Sequence, residues 1–240
     1  MRIAVYVEGQ TELIFIREFL RKWYNYDSSK LGFRCYRLQS EQMCKTEFSF
    51  GNNSSERFYI IVNAGGDKKA LSKALDNAQN HRDLGFDRVL VLRDMYSEQY
   101  KEAQPEQVID DNIIKHFIVD AQDSIKDKKF NGFVHCHFAI MEVEAWLLGM
   151  GWYLQKVDKS LTQDCLLKEL KFDLEADPET TVYHPAQRLT DIYEHVGKIY
   201  DKHKHDVNSI MSHFDKTDFQ LLLDLDKCAS FNAFIGNLTN

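Results

Sequence analysis

Glu8, Asp94, Glu142 and Glu144 each arrive at or just after the end of an apolar run, and carboxylates delivered in that way can grip one cation. Oxygen ligands with no Cys or His among them suit Mg2+ or Mn2+, which keep several waters and take phosphate oxygens as further ligands. One or two such ions can activate a water and stabilise the attacking and leaving oxygens of phosphodiester cleavage. Each acid also has a plain reading. Glu8 is a solvated turn residue, Asp94 a strand end or helix cap, and Glu142 and Glu144 are acids favoured by a helix dipole. Four of them at predicted strand ends favour a shared site.

The elements that must position them can be read in order. Ile3-Ala4-Val5-Tyr6-Val7 has the pattern of a strand buried on both faces. Gly9 permits a tight turn, and Thr11 is placed to cap a helix over 12–24, with Glu12 at its start and Leu13, Ile16, Phe19, Leu20 and Trp23 as its apolar stripe. Residues 32–38 alternate like a half-buried strand, 41–57 read as a polar excursion or loop, and 58–62 as a buried strand. A helix over 68–81 follows Gly65-Gly66-Asp67, and 87–94 is a third apolar strand finishing on Asp94. Helical spacing runs over 105–125, 132–140 is a last strand, and Met141 to Leu148 opens a helix. Strands alternating with helices predict an α/β protein, a mostly parallel sheet flanked by helices, with its chemistry at the carboxyl edge. Beyond Gly151 the segments 161–170, 185–200, 207–214 and 219–225 read as helices. The expected organisation is an α/β core over 1–150 and a helical lobe over 151–240 packed on it.

A net charge of −7 argues against a protein that clings to nucleic acid over its whole surface. Locally the balance reverses. Residues 17–45 hold seven basic side chains against three acidic ones, with Tyr24, Tyr26, Phe33 and Tyr36 between them. Arg17, Arg21 and Lys22 in that stretch, and Arg93 beside Asp94, are candidate contacts to a phosphate backbone; the alternative is a solvated helix face. No apolar run approaches the roughly 20 residues of a membrane span, and no basic-then-apolar leader is read at the start. Five cysteines without a Cys-x-x-Cys pair read as free thiols in a reducing compartment, so a cytoplasmic protein away from the membrane is expected.

Other constellations carry less. His135 and His137 would share one face of a strand and Cys136 the other, which favours packing over zinc. Asp201-Lys202-His203-Lys204-His205-Asp206 reads as a solvated turn between helices, with phosphate contact as the alternative. Gly65-Gly66-Asp67 lacks the spacing and the Lys-Ser/Thr ending of a phosphate-binding loop. Trp146 is expected in the core, anchoring the helix that presents Glu142 and Glu144.

Three blocks carry a family resemblance: Val7-Glu8-Gly9-Gln10-Thr11-Glu12, Leu90-Val91-Leu92-Arg93-Asp94 and Glu142-Val143-Glu144-Ala145-Trp146-Leu147-Leu148, with a weaker echo at Lys227-Cys228-Ala229-Ser230-Phe231. Together they resemble the TOPRIM (topoisomerase–primase) superfamily, in its small branch related to OLD and RloB proteins. The resemblance implies a TOPRIM-like (Rossmann-like) sheet and a metal-dependent nuclease acting on DNA or RNA, tRNA included. Under it Glu8 would be the catalytic acid/base, Asp94 a metal ligand and first acid of an Asp-x-Asp motif, and Glu142 and Glu144 the remaining acids. Proteins of this kind are often encoded beside an ABC/AAA-type ATPase in bacterial anti-phage or abortive-infection loci. That implies an ATPase partner and a role as antiviral effector, with homo-oligomer formation left open. One departure matters: the second acid of the motif falls at Tyr96. Glu98 could substitute for it if the segment turns back. The departure also keeps alive a non-catalytic regulatory or scaffold subunit that binds an ATPase and nucleic acid.

Overall fold

Ile3, Ala4, Val5, Tyr6 and Val7 are all fully buried, so the first strand can only lie inside a sheet covered on both faces. The computed structural model describes residues 1–39, 42–66 and 69–240, with every side chain among them except that of Glu47. In it β1 (Arg2–Val7) sits between β4 (Arg57–Asn63) and β5 (Arg88–Asp94), parallel to both. The register runs from Ile3 opposite Tyr59 and Arg88 to Val7 opposite Asn63 and Leu92. β2 (Leu31–Gln39) extends the sheet beyond β4, and β6 (Val134–Ala139) extends it beyond β5, both in parallel. β3 (Gln42–Phe50) pairs antiparallel with β2 at the edge, giving the order β3-β2-β4-β1-β5-β6. The expected mostly parallel α/β sheet is therefore present.

β3 corrects the expectation of a loop over 41–57. Its described side chains are all exposed or half-buried, with Met43 packing toward one face of the sheet and Phe48 and Phe50 toward the other. An edge strand needs neither continuous apolarity nor two buried faces, and Lys45 on it is the kind of charge that protects an edge. A break in the β2–β3 register between Arg34 and Tyr36 further blurs the period-2 signal. The pair closes where Gly51, at φ +54°, passes over Gly32; a Cβ on Gly51 would lie 2.1 Å from the Leu31 carbonyl oxygen. Glu41, Asp67 and Lys68, at the start of the expected loop and at the expected turn and start of the second helix, lie outside the described residues.

The first helix, α1 (Gln10–Trp23), starts two residues earlier than expected. Gly9 is its N-cap, with no side-chain cap, so Thr11 and Glu12 lie in the first turn. α1 covers one face of the sheet with Ile3, Val5 and Val7 beneath it. α2 (Lys69–Asp83) packs on the other face, over Ala4, Tyr6, Val62, Val89 and Val91, where Ile125 of α4 (Asp111–Asp127) joins it. Between them the chain makes the short α3 (Glu98–Ala103).

After β6 the chain is helical: α5 (Glu144–Gly149), α6 (Leu154–Val157), α7 (Gln163–Leu170), α8 (Pro178–Thr181), α9 (Pro185–His195), α10 (Lys204–Ser212), α11 (Lys216–Asp224) and α12 (Ala229–Thr239). Leu189, Ile210, Phe219, Phe231 and Phe234 from these helices belong to the same apolar cluster as α1 and the strands. Phe15 and Phe19 of α1 meet Phe219 and Phe231 edge-on, at centroid distances of 4.9 to 6.5 Å. Among the described residues no helix is long and apolar enough to cross a membrane, and all five cysteines are free.

Candidate metal centre

Parallel strands put their carboxyl ends on one edge, and the crevice outside that edge is where open α/β sheets hold ligands. Asp94 is the last residue of β5. Beyond β6 the chain turns at Met141, whose φ of +62° is left-handed, and this delivers Glu142 and then Glu144, the first residue of α5. One carboxylate oxygen from each of Asp94, Glu142 and Glu144 lies within 4.8 Å of the others. Expected ligands from two distant segments thus converge.

Each acid is held by a backbone or side-chain donor. Asp94 Oδ1 accepts from the Val143 N–H at 3.2 Å, tying β5 to the turn that carries the Glu pair. Glu142 Oε2 accepts from the Ala186 N–H at the start of α9, 3.0 Å away. Glu144 is fully buried, and its Oε1 accepts from the Tyr200 hydroxyl at 2.9 Å. Its Oε2 has no hydrogen-bond partner, and neither does Oε2 of Glu12, itself buried in the first turn of α1. Burial, and secondarily Glu144, pushes the Glu12 carboxyl up to about 7. Burial, then Glu12 and Glu144, raises Asp94 well above the usual carboxyl range. Burial also raises Glu144, against the pull of Lys202. So much like charge in one place is unfavourable without a counter-ion.

Lys202 supplies part of it. Its Nζ donates to Glu142 Oε1 at 2.6 Å and lies 3.3 Å from Glu144 Oε1. Burial works against its charge, but Glu144, Glu142 and Asp94 outweigh that and hold the amine protonated beyond the usual lysine range. The sequence reading placed Lys202 in a solvated turn and missed this. Its own type and neighbours hold no signal for it, because the contact is made by a left-handed residue (φ +57°) ahead of α10 reaching back to a strand edge.

The remaining predicted residues fall as follows. Glu8 is buried, but it is not in the three-acid cluster; Arg93 Nε donates to its Oε1 at 2.8 Å and the Asp94 N–H to its Oε2 at 3.2 Å. Continuing the β1–β5 register past Val7 and Leu92 sets Glu8 opposite Arg93, so the two form a cross-strand pair. Arg93 also lies 5.1 Å from the Phe138 ring centroid, so the candidate phosphate contact has a structural place as well. Glu12, expected in support, is buried in the first turn of α1, where its charge raises Asp94 and the charge of Glu144 raises it in turn. Gly9 leaves room for it: a Cβ there would come within 3.0 Å of Glu12 Oε2.

Arg17, Arg21 and Lys22, the other candidate phosphate contacts, all make contacts within the protein. Arg17 is buried, bonded to Glu18 and to Asn208 of α10; Arg21 pairs with Glu18; Lys22 donates to the Phe214 carbonyl at 2.8 Å. The helical lobe covers the α1 face that looked solvated in sequence. Glu98 is exposed on α3 and does not replace the missing acid, and the Tyr96 hydroxyl turns to His184 Nε2, 3.3 Å away. Trp146 is buried as expected, its Nε1–H shared between Glu179 Oε1 and Ser230 Oγ, each at 2.9 Å. His137 packs 5.5 Å from the Phe234 ring, and burial drives the Cys136 thiol up to about 12, in keeping with a packed strand.

These residues fit a divalent ion. The donors are all carboxylate oxygens, and two buried oxygens at the cluster, on Glu12 and Glu144, lack a hydrogen bond.

The family model described as a domain of unknown function, DUF4276, matches residues 7–239. The chain belongs to the DUF4276 family. No curated protein and no solved structure matches it. The DUF4276 region takes in Glu12, Asp94, Glu142, Glu144 and Lys202 together, so the acidic centre lies wholly within the family's span.

Proposed function

We propose that the protein is a divalent-metal-dependent nuclease that hydrolyses phosphodiester bonds of DNA or RNA. The observation that carries this reading is the convergence of Asp94, Glu142 and Glu144 at the carboxyl edge of the sheet, within 4.8 Å of one another. Asp94, Glu142 and Glu144 would hold Mg2+ or Mn2+, which when bound would lower the pKa of a water and offset charge on the phosphate. Glu12, with a carboxyl pushed up to about 7, is suited to hold and release a proton beside that centre. Lys202 keeps the carboxylates assembled and adds positive charge where an anionic substrate would arrive. The TOPRIM resemblance extends the proposal to an anti-phage effector restrained by an ATPase partner; an ATPase gene beside this one would support that extension.

The test is metal-dependent cleavage of labelled DNA and RNA, with Asp94→Asn as the control. Cleavage in Mg2+ or Mn2+ that Asp94→Asn abolishes supports the proposal; cleavage untouched by that substitution refutes it. A second reading, a non-catalytic scaffold that binds an ATPase and nucleic acid, is favoured by Tyr96 facing His184 in place of a second acid. It requires that Mn2+ leave the melting temperature unchanged, whereas the nuclease reading requires a rise.

A further inference from the structure

A cavity of about 300 Å³ opens at the same carboxyl edge of the sheet as Asp94, between the β2–β3 pair, the start of α1 and the start of α10. Among the described residues every charged side chain lining it is basic: Arg37, Lys45 and Lys204, all exposed. On a chain of net charge −7 that is a local reversal. It also re-sorts the basic stretch 17–45, because Arg17, Arg21 and Lys22 are spent on internal contacts while Arg37 and Lys45 reach this cavity. Phe48 stands in its wall with Arg17 and Lys204 each 4.2 Å from the ring centroid, so the ring already serves two cations. This favours a phosphate over a stacked base as the occupant.

The cavity and the acidic centre share two segments of chain. Gln10 lines the cavity, and Glu12, two residues on, raises Asp94 by its charge. Lys204 lines the cavity, and Lys202, two residues before it, holds Glu142. In the order β2-β4-β1-β5, Arg37 and Asp94 sit three strand spacings apart, about 14 Å, a length that a few nucleotides of extended strand cover. Asn63, also in the lining, is paired in register with Val7, directly before Glu8.

We infer that this cavity is an anion subsite for the sugar–phosphate backbone of a nucleic-acid strand, holding a phosphate of the same strand whose reacting phosphate is presented to Asp94, Glu142 and Glu144. The identity of that reacting phosphate rests on the nuclease reading; the binding itself does not. Arg37 offers a planar, bidentate donor, and Lys45 and Lys204 offer point charges, a set that recognises phosphate without reading sequence.

The experiment measures fluorescence anisotropy of labelled single-stranded DNA and RNA oligonucleotides in EDTA, where no cleavage occurs, with a nucleoside 5′-monophosphate as competitor. Arg37→Glu/Lys204→Glu, both at exposed positions, is expected to weaken oligonucleotide binding at least about tenfold and to flatten its salt dependence by roughly one charge contact or more, with the melting temperature unchanged. Wild-type affinity and salt slope in the double variant would overturn the inference. So would a monophosphate that binds as tightly as the oligonucleotide, since that assigns the cavity to a free nucleotide. If the double variant loses binding while the wild-type protein never cleaves in metal, the subsite stands and the nuclease reading fails.

Discussion

Arg93 is bonded to Glu8 directly across the β1–β5 boundary, Nε to Oε1 at 2.8 Å, and both side chains are nearly out of solvent. The glutamate that sequence places first in the catalytic site therefore has a structural bond to keep. Glu8→Ala would strand a guanidinium and remove the acceptor of the Asp94 N–H. It is expected to destabilise the fold by about 3 kcal/mol, and Glu8→Ala/Arg93→Met to recover part of that loss. Urea denaturation of the two singles and the double measures the coupling, and additive losses would mean the pair contributes nothing.

Lys202 is the counter-ion of the acidic centre. Lys202→Met removes it and leaves Glu142 and Glu144 facing each other. The expected loss is about 2 kcal/mol, below the range for fully buried pairs because the lysine side chain keeps 37% exposure. The variant should gain more from Mn2+ than the wild type does, since the ion then replaces the missing charge. Thermal melts with and without Mn2+ compare the two increments, and equal increments would count against Lys202 as counter-ion.

Metal affinity should depend on pH. Burial holds Glu12 up at about 7 and raises Asp94 and Glu144. A protonated carboxyl must give up its proton to a cation, so Mn2+ should bind more tightly as pH rises toward about 7. The sign for stability is opposite in the metal-free protein. A carboxyl whose folded pKa is raised contributes stability below its unfolded value and loses it as pH climbs through the folded one. The gain in melting temperature from Mn2+ should thus be larger at about pH 8 than at about pH 6; an equal gain at both would contradict it.

His81 should mark the acid limb of the stability profile. It is 2% exposed, its Nε2 lies 2.8 Å from the Tyr6 hydroxyl, and burial lowers its pKa to about 4. The unfolded chain takes up this proton near the ordinary histidine value and the folded chain does not. Stability from His81 is therefore full above about 6.5 and is lost as pH falls toward about 4. His81→Gln keeps a polar partner near Tyr6 without titrating, and its stability should fall less steeply across that window. Denaturation midpoints at stepped pH in EDTA give the comparison.

Local pattern and tertiary contact divide what could be read from the sequence. β1, β4 and β5 were legible because each holds a continuous apolar run ending in an acid or a turn, β6 because Gly132 precedes a short run closed by Phe138 and Ala139, and Asp94, Glu142 and Glu144 followed from strand ends on one edge. β3 was hidden by its half-exposed, bulged edge position. The bond of Glu8 to Arg93 and the burial of Glu12 beside Asp94 were not legible, because helix phase and strand register, and not residue type, decide which way a carboxylate points. Lys202 and Tyr200 reach Glu142 and Glu144 from 56 to 60 residues away, and no local pattern encodes that. Arg17 and Lys22 looked solvated because the lobe that covers them lies near the other end of the chain.

β1 is made well before either of its partners. β1 is flanked by β4 and β5, so during synthesis its run from Ile3 to Val7 stays unpaired on both sides until residues 57–63 have been made, and on one side until Asp94 has followed. A nascent chain in that interval exposes a sticky ribbon, which makes slow translation between β1 and β5 a hazard for aggregation and gives a holding chaperone something to grasp.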